Sequence, residues 1–178
     1  MSWGNSAKHW GLVSRILHWF MAIAIIFMFA LGATMINMRL SPVKLEMFMI
    51  HKSIGILLLA TVTVRILWRL LNPAPKPSQA LSKSQRKTVL FGQLLMYALM
   101  ICIPLSGWVI NSAANFPLQW FGLFEIPSIT KPNINTEELA KTTHFVLVCT
   151  LGTVVLIHIT AALHHHFIRK NDILKRML

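Results

Sequence analysis

The sequence predicts an all-α protein, an integral membrane bundle of four helices, and three observations lead there. Hydrophobic residues make up 55% of the 178 and charged residues only 12%, with a mean hydropathy of +0.61, beyond the usual balance of a soluble domain. The apolar residues fall into four long runs, each reaching the roughly 20 residues a helix needs to cross a bilayer. The segments between the runs are short. Residues 1–178 therefore read as a single transmembrane domain with no room for a separate soluble one.

Span 1 is expected at about Ile16 to Met38. It follows a polar lead, exceeds the length of a signal-peptide core and ends without a small-residue cleavage site, so it is expected to remain as a span. Span 2, Met47 to Leu71, stops at Asn72-Pro73-Ala74-Pro75-Lys76-Pro77, where the prolines remove amide donors and push their predecessors out of helical geometry. A polar stretch follows to Lys87. Span 3 covers Val89 to Ser112 and span 4 Leu139 to Ile168. The loop between them, Asn115 to Asn135, carries Phe116, Trp120, Phe121 and Phe124 among Gly and Pro. It reads as an aromatic segment in the membrane interface, or as a lid over that end of the bundle.

Four crossings put both termini and the loop between spans 2 and 3 on one side. Of the 17 lysines and arginines, Arg39, Lys44, Lys52, Lys131 and Lys141 belong to the other side, together with Glu46, Glu125, Glu137 and Glu138. The terminal side keeps the remaining 12 basic residues and Asp172, so the formal charge of +12 divides as +11 and +1. By the positive-inside rule the termini are cytoplasmic. That orientation, with contact to anionic lipid, accounts for the basic pI near 10.6 without a nucleic-acid partner. Cys102 and Cys149 lie within spans 3 and 4 without CxxC spacing and read as small core residues. No Gly-rich phosphate loop, Ser-His-Asp set or intramembrane carboxylate pair offers a basis for hydrolytic or phosphoryl chemistry.

Histidines inside spans are costly and call for a partner or a ligand. His18 lies just inside span 1 and His51 just inside span 2, entering from opposite sides, while span 4 carries His144 and His158. Fourteen residues turn a helix through nearly four full turns, so the last two share a face, with levels about 21 Å apart. Depth then pairs His158 with His18 and His144 with His51. A lone histidine in a span is often a hydrogen-bonded core residue. Two facing pairs in a four-helix bundle instead suit bis-histidine ligation of two stacked haems, each iron taking a nitrogen from both sides.

The same offset of 14 residues leads from His18 to Gly32 and from His51 to Arg65. Gly32 would let the outer haem pass, and Arg65 would stand at the inner haem, ready for a propionate. Gly55, one turn beyond His51, would let a flat macrocycle approach the backbone. Arg15, Arg65, Arg69 and His164, His165 and His166 gather at the inner level, where a quinone headgroup could meet cationic and proton-exchanging groups. His165 shares nearly the same face as His158 and is an alternative inner ligand. Lys52, with Arg39 and Lys44 against Glu46, leaves a local excess of positive charge by the outer haem, suited to a small anionic donor. His9 reads as surface. Arg15, Lys52, Gly55 and Arg65 complete the candidate cofactor-binding set around the four histidines.

These residues carry a resemblance. Arg15-Ile16-Leu17-His18-Trp19 opens span 1, His51-Lys52-Ser53-Ile54-Gly55 opens span 2, Arg65-Ile66-Leu67-Trp68-Arg69 precedes Asn72-Pro73-Ala74-Pro75, and His165-His166-Phe167 with Lys175-Arg176-Met177 lies at the end. In these motifs the chain resembles the bacterial cytochrome b561 family, which is similar to the cytochrome b subunits of respiratory hydrogenases and formate dehydrogenases. The resemblance implies a multi-pass protein of the bacterial inner membrane with two b haems, exchanging electrons with quinone. It also implies that His18, His51, His144 and His158 are the ligands.

The expected function is electron transfer between an outer donor, with superoxide and a redox protein as candidates, and the quinone pool. A haem-bearing anchor of a dehydrogenase is the alternative. A histidine-based zinc or copper transporter is less well supported, since the pairs stand about 21 Å apart and lack the thiols or carboxylates of a tetrahedral site. A reporter enzyme active only outside the cytoplasm, fused after Leu178, is expected to be silent. Strong activity there reverses the orientation.

Overall fold

The computed structural model describes residues 2–7, 9–76 and 81–178; Lys8, one of the 12 basic residues counted on the terminal side, and Pro77 lie outside these described residues. Four long helices dominate: α1 (Leu12–Asn37), α2 (Pro42–Leu71), α3 (Lys83–Ala113) and α4 (Ile134–Leu163), the last running on into a π-helical turn (His164–Ile168). All four are long and apolar enough to cross a membrane.

The helices begin earlier than the apolar runs because their first turns are polar and capped. At α2, Ser41 Oγ accepts the Lys44 amide at 3.2 Å, and Pro42 occupies a first-turn position whose missing donor costs nothing. Before α3, Ser82 Oγ accepts the Gln85 amide while Gln85 Oε1 accepts the Ser82 amide, at 3.2 and 2.9 Å. Asn133 Oδ1 accepts the Thr136 amide at 3.0 Å to start α4. Hydropathy registers none of these turns.

α1 has no side-chain cap, and the segment before it takes over that role. The Leu12 and Val13 amides donate to the Ser2 and Trp3 carbonyls at 3.0 and 3.5 Å. The crossing is so close that a Cβ on Gly11 would lie 2.4 Å from the Gly4 carbonyl carbon, which explains the glycine. Asn5 is the hub of this end. Its Oδ1 accepts the Gly11 amide and the Ser14 hydroxyl at 2.9 and 2.7 Å, and its Nδ2 donates to the Asn72 carbonyl at 2.9 Å. Trp68 Nε1 adds a bond to Ser14 Oγ at 3.1 Å. The start of α1 is thus tied to the end of α2.

Packing follows chain order: α1 on α2, α2 on α3, α3 on α4. Among the described residues α1 and α4 make no close backbone approach. The core is thin. Met21 and Val62 are fully buried, but so are Ser53 and Ser112, and Ile23 is 68% and Leu156 66% exposed. Such outward apolar faces suit hydrocarbon, where small and polar residues rather than burial hold helices together. The reading of Cys102 and Cys149 as core residues is corrected here, since both are exposed. Lipid-facing positions are as apolar as interior ones, so hydropathy cannot separate the two.

The loop from Asn115 to Asn135 is more ordered than an interfacial segment. It contains a hairpin of β1 (Leu118–Trp120) and β2 (Phe124–Ile126), paired Leu118 with Ile126 and Trp120 with Phe124. Phe121 and Gly122 both have positive φ, 49° and 72°, in the turn closed by the Leu123 amide on the Trp120 carbonyl, the backbone that a tight hairpin prefers. The Phe121 amide donates to buried Ser53 Oγ of α2 at 2.9 Å, and Lys52 Nζ donates to Asn111 Oδ1 of α3 at 3.1 Å. Ser112 Oγ accepts the Ile129 amide at 3.1 Å. The hairpin therefore ties α2 and α3 together at this end, as Asn5 ties α1 to α2 at the other.

Asn5→Ala removes all four side-chain bonds of Asn5, the fourth from Nδ2 to the Pro73 carbonyl at 3.4 Å, from a partly buried site. It is expected to lower stability by about 1–3 kcal/mol, seen as a lower thermal midpoint of tryptophan fluorescence in detergent.

Candidate functional site

α4 carries both His144 and His158, and each meets one ring from across the bundle. His18 of α1 faces His158 with ring centres 6.3 Å apart and planes at 72°. His51 of α2 faces His144 at 6.4 Å and 64°. The structure thus brings together the residues matched by depth from sequence. An imidazole–metal bond of about 2.0 Å, plus about 1.1 Å from ring nitrogen to ring centre, puts two rings holding one ion from opposite sides about 6.2 Å apart. Both pairs have that spacing. Two nitrogens are all that each offers, because no cluster of three or more His, Cys, Asp or Glu side chains converges among the described residues.

The pair of His51 and His144 is the better braced. His144 Nδ1 lies 3.1 Å from the Ile103 carbonyl and 2.9 Å from Ser106 Oγ, whose own hydroxyl donates to Ile103 at 2.7 Å. Two acceptors at Nδ1 hold the proton there and leave the Nε2 lone pair for a ligand, the usual support of a metal-bound histidine. Gly107 gives the ring its room, since a Cβ there would meet His144 Cε1 at 3.5 Å. Gly32 of α1 lies against the other ring, with a Cβ position 3.7 Å from His51 Cε1. His51 Nδ1 is buried without a hydrogen-bond partner among the described residues. Gly55 faces Met28, whose Cε is 4.0 Å from its Cβ position. Lys52 sits one residue from His51, with its ammonium on Asn111 and, at 3.5 Å, on the Pro117 carbonyl.

At the pair of His18 and His158, Arg65 Nη2 reaches His18 Nδ1 at 3.2 Å. Arg65 and Arg69 both stand 5.7 Å from the centre of the Tyr97 ring, and Arg69 donates to Gln93 Oε1 at 3.1 Å. Trp19 packs edge-on to His18 at 5.3 Å and donates to the Met177 carbonyl at 2.8 Å. His165 is occupied elsewhere: Asn171 holds its Nδ1 at 2.8 Å, and its ring leans on His164 at 5.8 Å. The ring that faces His18 is His158. Arg15 lines a cavity at the end of the bundle with Lys175 and Arg176.

Several residues of this region escaped the sequence. Ser106, Gly107 and the Ile103 carbonyl belong to α3, which contributes no histidine and so drew no attention. The adjacent Ser106-Gly107 within an apolar span was the available signal. Tyr97, the only tyrosine in the chain, could have been singled out as a polar ring inside a span. Phe29 and Gly152 bridge the gap between α1 and α4, with a Gly152 Cβ position 3.4 Å from the Phe29 ring.

Membrane-capable helices with two facing histidine pairs in their interior define a helical membrane protein built around paired imidazoles. The family model of prokaryotic cytochrome b561 matches residues 9–178. The chain is 36% identical to cytochrome b561 homolog 2 of Escherichia coli (strain K12) over 179 residues, all of this chain and 95% of the relative. It is 32% identical to the probable superoxide oxidase CybB of Yersinia pestis over 136 residues, 74% of each chain. The chain belongs to the prokaryotic cytochrome b561 family, and it is a membrane electron-transfer protein for which the family implies haem b.

Gly107→Ala is expected to keep the haem content of the purified protein, since the added methyl meets His144 at ordinary contact distance. Gly107→Val pushes into that ring and is expected to lower haem per chain, read from the ratio of haem to protein absorbance.

Proposed function

We propose that the protein carries two haem b groups and passes electrons between a donor outside the cytoplasm and membrane quinone. His18 and His158 would hold one haem, and His51 and His144 the other. The observation that supports this most strongly is the pair of ring separations, 6.3 and 6.4 Å, each the span of one ion held from both sides. Since among the described residues each level offers two histidine nitrogens and no third ligand, a macrocycle would supply the other coordination positions. Haem supplies the one-electron chemistry when bound.

The chain's own residues orient, insulate and charge the site. Two histidines on each iron leave no open position, which favours electron transfer over oxygen binding. Ile103 and Ser106 keep the His144 proton on Nδ1. Gly32 and Gly107 keep side chains off the outer pair. A His18 holding a haem iron through Nε2 would carry its proton on Nδ1 and could not accept from Arg65, which would leave the guanidinium for a propionate carboxylate. The quinone belongs at the inner level, beside Arg15, Arg65, Arg69 and the cluster from His164 to His166. The relative named a probable superoxide oxidase supports superoxide as the outer donor, an anion suited to the positive excess of Arg39, Lys44 and Lys52. In this arrangement the four spans cross the bacterial inner membrane with both termini in the cytoplasm.

The purified protein is expected to show b-type bands in a reduced-minus-oxidised spectrum, with two haems per chain. Alanine at any one of the four histidines removes one haem, and the two members of a pair remove the same one. Retention of both haems in His158→Ala together with loss of one in His165→Ala would falsify the inner assignment. A quinone analogue is expected to perturb the haem held by His18 and His158; a shift confined to the other haem inverts the arrangement.

A further inference from the structure

A second site lies outside the helix interior. The N-terminal segment and the chain end form a half-open cavity of about 310 Å³ at the end of the bundle where α1 begins and α4 finishes. His9, Arg15, Lys175 and Arg176 line it, and Trp10 and Leu12 form an apolar wall. Of the five acids only Asp172 stands at this end of the chain, and it is committed to Arg176, whose Nε reaches its Oδ2 at 2.8 Å. Arg176 also donates to the Lys76 carbonyl at 2.9 Å. Among the described residues neither the Arg15 nor the Lys175 side chain has an ion-pair or hydrogen-bond partner, and Arg15 is half-buried. A half-buried guanidinium lining a cavity without a counter-charge is costly unless an anion joins it.

We propose that this cavity binds a phosphate group, that of an anionic phospholipid headgroup. The chemistry fits in three respects. Arg15 and Lys175 supply uncompensated positive charge, and a guanidinium is a matched donor for phosphate oxygens. The volume equals about ten water molecules, more than a bare phosphate fills and enough for a phosphoglycerol. The apolar wall stands where α1 meets the membrane, and Trp3 and Trp10 are of the type that settles at the level of headgroups. A phosphate held here would join the two chain ends, which otherwise meet through Trp19 on the Met177 carbonyl and through Lys76 of the loop between α2 and α3, whose amide donates to the Ala7 carbonyl and whose carbonyl accepts from Arg176.

The test uses the full chain in mixed micelles, with retained lipid counted by native mass spectrometry and stability followed by the thermal midpoint of tryptophan fluorescence. Phosphatidylglycerol is expected to be retained and to raise the midpoint, and phosphatidylcholine is not. Arg15→Gln and Lys175→Gln are each expected to weaken retention about fivefold, the effect of one basic residue near a charged surface. If inorganic phosphate alone gives the same protection, lost in the same variants, the phosphate site stands and its source is the free anion. Lys175 is exposed, so K175Q keeps the test valid if R15Q fails to fold. Equal retention of phosphatidylglycerol by the wild type and a folded K175Q, or equal retention of both lipids, overturns the proposal.

Discussion

A helix that carries two imidazoles into hydrocarbon, about 21 Å apart along one face, has to be met at two depths by polar partners from other helices. α4 is that helix, and its requirement sets the architecture. α1 supplies a ring at one level and α2 at the other, so α4 must stand a fixed distance from both. Direct helix packing would close that distance. The bundle avoids this by stacking its helices in chain order, so that α3 alone carries α4 and the face toward α1 stays free of close backbone contact. Small residues then admit what must fit there: Gly32 beside His51, Gly107 beside His144, Gly152 beside Phe29.

Such an open arrangement needs fixing from elsewhere, because apolar contact in lipid gives little preference for one helix over another. The fixing comes from hydrogen bonds at the two ends. Asn5 joins the start of α1 to the end of α2, and the hairpin joins α2 to α3 through Ser53, Lys52, Asn111 and Ser112. These groups lie near the membrane surfaces, where a polar side chain is cheaper than at mid-depth. Lys52 illustrates the economy of this design: a cation next to a histidine in sequence serves as a clamp on the hairpin while adding positive charge at that end.

Charge is arranged on the same principle. Carboxylates are almost absent from the end that holds the termini, so its arginines and lysines find partners among carbonyls, amides and aromatic rings. Arg65 rests on His18 and Tyr97, Arg69 on Gln93 and Tyr97, Arg176 on Lys76 and Asp172. Cations held by neutral groups remain available to an anion in a way that salt-bridged ones do not. The propionate proposed at Arg65 would draw on this property.

The sequence by itself determined the helical class, the four apolar runs and the uneven division of charge. It also placed the histidines by depth, since a helix rises by a constant amount per residue and an intramembrane histidine demands a partner. Local polar turns at Ser41, Ser82 and Asn133 blurred the helix starts, because hydropathy averages over them. Only the tertiary structure decided what depends on rotation and neighbours. It turned Cys102 and Cys149 outward, where lipid is as apolar as a core, and it set His158 rather than His165 before His18, with Asn171 holding the latter. It also recruited Ser106 and Gly107 from a helix without a histidine, and folded an aromatic loop into a hairpin locked on Ser53. Depth is additive along a chain, whereas the direction a side chain faces depends on which helix packs beside it, and in lipid no hydrophobic pattern along the sequence records that choice.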